Sequence, residues 1–313
     1  MWQLLCILYV SEADDLKEPV FTGACTAIIT PFTENGIAYE RLKAQLEFQI
    51  AGGVRAIVIA GTTGENATLK SHEFEKLVAF CLRCAAGRVR TIVGIGGNHT
   101  AECLEKAEFA QAAGADAVLM TAPYYNKTTQ AGLIDHFRFV ADRIELPMIL
   151  YNVPGRTAIG IGFEAYRSLA EHPNINGVKE ASGDFSLISR LASECGDLHL
   201  WSGNDDQTVA MMALGAKGVI SVASNLIPAE IQSVCALCLA GQFGEAAALY
   251  RKYAVLCRRL FSETNPIPVK AAMAYAGRDS GLLRLPLVPI SRENGAALRQ
   301  ELEALGLCGA NGG

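Results

Sequence analysis

The chain has 313 residues, of which 50% are hydrophobic and 19% are charged, and 30 of them are glycine. This composition is typical of a globular α/β protein and excludes a disordered or fibrous chain. The formal net charge is −5, and no Lys/Arg-rich run is interleaved with aromatic residues, so we expect no nucleic-acid partner. A small-molecule partner is the better expectation.

The longest apolar run, Met1 to Val10, lies at the start of the chain. It is about half as long as a membrane-spanning helix requires, and it lacks the basic residues that begin a signal peptide. We therefore interpret residues 1–20 as an N-terminal extension or the product of an upstream start codon and expect no membrane anchor. A weak secretory leader is the alternative interpretation.

Ten cysteines are scattered through apolar segments that we expect to be helical, including the pairs Cys81/Cys84 and Cys235/Cys238. No histidine stands at zinc-ligand spacing from either pair, and cysteine is a common buried small residue. The pattern favours reduced thiols in a cytoplasmic protein, with no metal site.

Short β-branched runs bounded by Gly or Pro recur about every 20 to 35 residues, the length of a strand, a loop and a returning helix. Their nearly continuous apolar character indicates strands buried on both faces. Eight such units predict a closed parallel (β/α)8 TIM barrel. The predicted strands are 25–30, 56–60, 91–95, 117–120, 148–151, 175–179, 198–201 and 218–222.

Helical periodicity fills the segments between these runs, as in 39–50, 72–85 and 101–112. We assign residues 21–227 to the barrel and residues 228–313 to a small C-terminal helical region packed on it. A doubly wound sheet is the competing α/β architecture. Its dinucleotide fingerprint fails at Gly94–His99, because His99 occupies the third glycine position.

Parallel barrels carry their active sites at the C-terminal ends of the strands. Four of the predicted strands end in polar residues, in the segments Gly61–Glu65, Pro123–Asn126, Tyr151–Thr157 and Val178–Glu180. We expect these side chains to converge on one site.

Lys179 is the candidate nucleophile, because desolvation in a buried apolar strand favours its neutral amine. A neutral amine forms a Schiff base with a carbonyl substrate, and the imine then acts as an electron sink. The alternative is a structural lysine that points outward or pairs with Glu180. Taken without its neighbours, Lys179 fits either role.

Schiff-base chemistry also needs proton transfer, for which Tyr151 is the candidate. Hydroxyl groups of Thr62, Thr63 and Tyr125 are candidates to support it, although each could instead be a turn or rim residue. Arg156 offers a guanidinium fork suited to a carboxylate, but a surface ion pair is equally consistent with its sequence.

Together these four segments closely resemble the dihydrodipicolinate synthase family of pyruvate-dependent lyases. The resemblance runs from about Phe21 to Leu307 and includes Gly218–Val222 and Asn265–Lys270. It implies a TIM barrel that condenses pyruvate with aspartate semialdehyde in the diaminopimelate route to lysine.

The resemblance also implies a role for each candidate residue. Lys179 would form the imine with pyruvate, and Tyr151 would transfer protons. Thr63 would bind the pyruvate carboxylate and link Tyr151 to Tyr125, with Thr62 supporting this relay.

Residues that bind the second substrate and a partner subunit are implied in the same way. Arg156 would bind the carboxylate of aspartate semialdehyde, and the backbone around Ile220 would line the pyruvate pocket. Tyr125 would reach the site of a neighbouring subunit, so the resemblance implies a homodimer that pairs into a homotetramer. No metal or organic cofactor is implied.

Two other functions remain open at this point. Related aldolases that act on N-acetylneuraminate or keto-deoxy sugar acids share the lysine and the tyrosine but generally lack an arginine at the position of Arg156. A non-catalytic binding barrel would be expected to lose Lys179 or Tyr151, and both are present.

Regulation is where the chain departs from the family pattern. Lysine-inhibited members carry histidines where this chain has Ser71 and Phe74, although Asn98, Glu102 and Tyr124 match the inhibitor pocket. We therefore expect weak inhibition by lysine.

Overall fold

A computed structural model describes residues 17–308. Eight parallel strands close into a barrel in which each strand pairs with its neighbours in the sequence and β1 pairs with β8. The predicted barrel is therefore confirmed. Its strands are β1 (Gly23–Ala27), β2 (Ala56–Ile59), β3 (Arg90–Gly94), β4 (Ala117–Thr121), β5 (Met148–Asn152), β6 (Ile175–Glu180), β7 (His199–Ser202) and β8 (Gly218–Ser221). A hairpin of two short strands, Phe32–Thr33 and Gly36–Ile37, follows β1.

Helices surround the barrel and continue beyond its last strand. They are α1 (Tyr39–Ala51), α2 (Ser71–Ala85), α3 (Thr100–Ala112), α4 (Gln130–Ala141), α5 (Pro154–Thr157), α6 (Phe163–Ala170), α7 (Phe185–Glu194), α8 (Thr208–Ala213), α9 (Pro228–Leu239), α10 (Phe243–Arg259), α11 (Ile267–Tyr275) and α12 (Arg292–Ala304). Single 3-10 turns occupy Asn66–Thr68, Asp205–Gln207 and Ala223–Asn225.

Side-chain alternation along the strands divides the buried residues into two cores. One core fills the barrel interior and includes Cys25, Val58, Leu119 and Ile220. The other lies between the strands and the helices, and includes the neighbours of those residues in the sequence, such as Ile57. Consecutive residues of one strand therefore face different surroundings, which decides the role of each residue at the active site.

The first described residues lie against the N-terminal ends of the strands, opposite the predicted site. Lys17 donates hydrogen bonds to the carbonyl oxygens of Ala170, His172 and Ile175 at 2.7, 2.7 and 2.9 Å. The Phe21 ring stacks on Trp201 with 5.1 Å between ring centroids. Residues 17–21 thus cover this end of the barrel, whereas Met1–Val10 lies outside the described residues.

The predicted C-terminal helical region is present as α9 to α12. Its first helix, α9, packs against β1 and takes the place of the eighth helix in the outer ring. A side chain at Gly52 would bring its Cβ within 2.5 Å of Pro228, so the close approach of α1 and α9 requires glycine there. The placement of the boundary at residue 228 remains a prediction.

From the sequence we expect reduced thiols and no membrane anchor. The nine cysteines within residues 17–308 are free thiols, and most of them are buried. No helix in this part of the chain is long and apolar enough to cross a membrane.

A buried histidine joins α3 to α4. His136 Nδ1 and Thr100 Oγ1 are hydrogen-bonded at 2.8 Å, and no partner of His136 Nε2 occurs within residues 17–308. Burial lowers the pKa of His136 from 6.5 to about 4, because desolvation disfavours the charged imidazolium. His136 is therefore neutral in the folded protein at neutral pH.

This histidine should contribute to loss of stability in acid. The pKa of His136 is lower in the folded protein than in the unfolded chain. Its contribution to the free energy of unfolding is therefore complete above about pH 6.5 and is lost as the pH falls from there through about 4. The full loss is about 3 kcal/mol. We expect the free energy of unfolding of His136→Gln, measured by urea denaturation, to fall less steeply than that of the wild type below about pH 6.5.

The exposed His72 offers a matched control. His72→Gln also removes one histidine, but not a buried one, and its pH profile should stay closer to that of the wild type than the profile of His136→Gln does. Identical profiles for His136→Gln and the wild type would show that His136 does not carry this acid sensitivity.

Candidate active site

A cavity of about 280 Å³ opens at the C-terminal ends of the strands, bounded on one side by the segment before α11. It is lined by residues at or just after the C-terminal ends of β2, β3, β4 and β5 and by residues of the C-terminal region. Those central to the site are Thr62, Thr121, Tyr124, Tyr151, Arg156 and Asn265. Residues of three of the four predicted segments therefore converge on this cavity, together with residues of the C-terminal region, whereas no residue of Val178–Glu180 lines it.

Strand β6 turns its two charged residues to opposite sides of the barrel wall. Glu180 accepts hydrogen bonds from Asn152 Nδ2 at 3.0 and 3.1 Å and from the Tyr166 phenol at 2.9 Å. Tyr166 belongs to α6 and is fully buried, so Glu180 faces the helical layer. Burial, together with the Glu180 carboxylate, holds the pKa of Tyr166 well above its usual value. Glu180 is thus hydrogen-bonded to residues other than Lys179.

Lys179 faces the barrel interior and is 5% exposed. Its Nζ lies 4.3 Å from the centroid of the Tyr151 ring, and the two residues are paired in register across β5 and β6. Within residues 17–308, Lys179 Nζ has no hydrogen bond or ion pair. Tyr151 lines the cavity, so it stands at the boundary between the cavity and the lysine.

The turn after β7 approaches Lys179 closely. A Cβ built on Gly203 would lie 3.2 Å from Lys179 Cε and 2.7 Å from the Ala181 methyl group. A side chain at this position would displace the lysine or its strand, so glycine leaves space for the Lys179 side chain.

Asp205 joins the turns after β7 and β8 on the same side of the barrel. Its carboxylate accepts a short hydrogen bond from Ser221 Oγ and bonds from the backbone amides of Val222 and Ala223 at 3.1 and 3.0 Å. Burial raises the pKa of Asp205, and these hydrogen bonds and the charge of Lys179 oppose that rise. The backbone that follows Ile220 is therefore rigidly held.

The two candidate threonines lie in the turn after β2. Thr62 is half-buried and lines the cavity. Thr63 is buried, and its hydroxyl oxygen accepts a hydrogen bond from Asn265 Nδ2 at 2.9 Å. No hydrogen bond joins Thr63 to Tyr151 or Tyr125 in the described chain, so the predicted link between the two tyrosines is not formed within one subunit.

The remaining candidates occupy three different positions. Arg156 lies on α5 at the cavity rim and donates a hydrogen bond from Nη2 to the carbonyl oxygen of Asn265 at 2.8 Å. Ile220 is fully buried in the barrel interior. Tyr125 is 91% exposed and has a positive φ of 70°. Tyr125 does not line the cavity of its own chain.

Asn265 is the residue that motif reasoning missed. Its side chain contacts Thr63 and its carbonyl oxygen contacts Arg156, so it connects the two groups expected to bind carboxylates. The segment Asn265–Lys270 stood out in the sequence, but nothing local indicated contact with the turn after β2. That contact spans 202 positions in the chain.

A buried lysine beside a tyrosine at the C-terminal end of a TIM barrel, with an arginine at the rim, defines a lyase of the class I aldolase type. Residues 20–305 match the dihydrodipicolinate synthetase family. The chain belongs to this family, as the sequence resemblance predicted.

Individual relatives agree with this assignment. The 4-hydroxy-tetrahydrodipicolinate synthase of Thermoanaerobacter sp. (strain X514) is 45% identical over 92% of this chain and 98% of its own. The crystal structure of dihydrodipicolinate synthase from Aquifex aeolicus has a TM-score of 0.91 and 41% identity, covering 93% of this chain and all of that one. The chloride-inhibited synthase of Acinetobacter baumannii, complexed with pyruvate, has a TM-score of 0.90 and 39% identity, covering 92% of this chain and 99% of its own.

Proposed function

We propose that this enzyme condenses pyruvate with L-aspartate 4-semialdehyde to give 4-hydroxy-tetrahydrodipicolinate, through a Schiff base between pyruvate and Lys179. The observation that carries the proposal is the placement of Lys179 inside the barrel wall, 4.3 Å from the Tyr151 ring, while Glu180 is bound on the other side. The names of the relatives supply the product, and pyruvate is the molecule bound to one of them. Aspartate semialdehyde is the second substrate that the family resemblance implies.

The first half of the reaction activates pyruvate. The neutral amine of Lys179 adds to the keto carbon, and water leaves to form an imine. Tyr151 donates a proton to the departing hydroxyl, and its phenolate then accepts a methyl proton, which converts the imine into an enamine. Thr63, with its backbone, binds the pyruvate carboxylate, Thr62 supports proton transfer, and the backbone around Ile220 lines the pocket.

The second half forms the carbon–carbon bond. The enamine carbon attacks the aldehyde of aspartate semialdehyde, whose carboxylate Arg156 binds at the rim. The aldehyde oxygen takes a proton from Tyr151 and becomes a hydroxyl group. The amino group of that substrate then attacks the imine carbon, closing the ring and releasing Lys179. Because the imine itself serves as the electron sink, these steps need neither an organic cofactor nor a metal ion.

Arg156 distinguishes the proposed condensation with aspartate semialdehyde from the cleavage of sugar acids. We expect pyruvate consumption with aspartate semialdehyde to exceed cleavage of N-acetylneuraminate or keto-deoxy sugar acids in kcat/KM. In Arg156→Ala, loss of charged hydrogen bonds worth about 1.5–3 kcal/mol should raise the KM for aspartate semialdehyde about tenfold to a hundredfold. The KM for pyruvate should change much less.

Arg167 provides a matched control, since it is an exposed arginine paired with Glu164 on the barrel surface. Arg167→Ala should keep both KM values. Faster cleavage of a sugar acid by the wild type would contradict the proposed substrate, and no turnover of any of these compounds would favour a non-catalytic barrel.

The assembly and cellular location belong to the same proposal. An exposed tyrosine beside the cavity suits contact with a second subunit, so Tyr125 reaches the site of its partner in a homodimer, and two dimers pair into a tetramer. Buried free thiols suit a reducing compartment, and we place the enzyme in the cytoplasm.

Lysine should inhibit this enzyme weakly. Phe74 is buried against Phe109 in a cavity of only about 50 Å³, and Glu102 forms an ion pair with Lys106 at 3.1 Å. A ligand ammonium group would have to compete with Lys106 for that carboxylate. We expect no inhibition when sub-millimolar lysine is titrated into the purified enzyme, and substantial inhibition in that range would contradict this expectation.

A further inference from the structure

A second buried lysine lies outside the proposed chemistry. Lys270, on α11, is fully buried and its Nζ is 2.8 Å from Glu65 Oε1. It also donates a hydrogen bond to the carbonyl oxygen of Thr30 at 2.9 Å and lies 4.3 Å from the centroid of the Phe32 ring. Burial lowers the pKa of Lys270, and the charge of Glu65 opposes this effect.

The Glu65 carboxylate is equally enclosed, with a side chain that is 1% exposed. Its second oxygen accepts a hydrogen bond from the backbone amide of Arg284 at 3.0 Å. Glu65 has a positive φ of 57°, a conformation that is uncommon for a residue with a side chain. The carboxylate thus fixes the end of the turn that carries Thr62 and Thr63.

Thr30 completes the connection to this turn. Its hydroxyl donates a hydrogen bond to the carbonyl oxygen of Gly64 at 2.7 Å, while its own carbonyl oxygen accepts from Lys270. Lys270, Glu65 and Thr30 therefore form one group, which we term the anchor. It joins the turns after β1 and β2 to α11.

Glu65 and Lys270 of the anchor each lie close in the sequence to a residue of the proposed substrate-binding site. Thr63 is two residues before Glu65. Asn265 lies two residues before α11, in which the Lys270 amide donates a hydrogen bond to the carbonyl oxygen of Pro266 at 3.0 Å. The hydrogen bond between Asn265 and Thr63 connects the two segments directly. Movement of either segment would therefore displace Thr63.

Buried ion pairs often add little stability compared with apolar residues of similar size. A pair that joins segments 205 positions apart beside the cavity is better explained by positioning. We propose that the anchor of Glu65, Lys270 and Thr30 is a positioning device that holds Thr63 and Asn265 in the geometry needed to bind the pyruvate carboxylate. This inference rests on the proposed function.

The test measures the pyruvate concentration that gives half-maximal borohydride trapping on Lys179. Glu65→Gln combined with Lys270→Met removes both charges. The double substitution therefore does not leave one buried charge without its partner. We expect this folded variant to need about tenfold to a hundredfold more pyruvate than the wild type, because small misplacements of binding groups have effects of that size. Loss of folded protein would lower the amount of adduct but would not change the half-saturating concentration.

The exposed pair Glu47 and Arg88 provides the control for loss of two opposite charges. Glu47→Gln combined with Arg88→Met should keep the wild-type pyruvate dependence. A wild-type protein that traps no pyruvate would refute the proposed function. Trapping by the wild type, with the same half-saturation in the folded anchor variant, would refute the positioning role alone.

A milder variant covers the case in which the double variant does not fold. Thr30→Val removes only the hydrogen bond to Gly64 and keeps the shape of the side chain. We expect a rise of about threefold to tenfold in the half-saturating pyruvate concentration, as for loss of one hydrogen bond. An unchanged value in this variant would overturn the proposal.

Discussion

Alternation along β6 places Lys179 and Glu180 on opposite sides of the barrel wall, and the chemistry of the site depends on this separation. Glu180 satisfies its charge with Asn152 and Tyr166 toward the helices. Lys179 consequently faces Tyr151 in the interior without a carboxylate on its amine. A shift of one residue in the strand would exchange these two side chains and place an acid where the nucleophile stands.

The two buried lysines show how surroundings assign different roles to the same side chain. Lys270 is held by Glu65 and by the Thr30 carbonyl oxygen, so its ammonium group is stabilised and fixed in place. Lys179 has an aromatic face as its closest described partner and lies beside the cavity lining. The first arrangement suits positioning, and the second suits a nucleophile that must become neutral and move toward a carbonyl carbon.

Sequence patterns predicted the features of this fold that depend on residues close together in the chain. Apolar runs located all eight strands within a few residues, because each strand is buried on both faces. Polar residues at the C-terminal ends of the strands pointed to Tyr151, Lys179 and Arg156 as candidates. The patterns alone did not separate Tyr125, which is 91% exposed, from the residues that line the cavity, although the family resemblance implied its contact with a second subunit. They also could not predict the contacts of Asn265 with Thr63 or of Lys270 with Glu65, which join segments 202 and 205 positions apart.

The central claim is that Lys179, and not the other buried lysine, forms the imine. Its most direct test is mass spectrometry of the digested protein after incubation with pyruvate and borohydride. We expect a reduced pyruvate adduct on the peptide that carries Lys179, with Lys270 unmodified. Absence of an adduct, or an adduct on Lys270 instead, would contradict it.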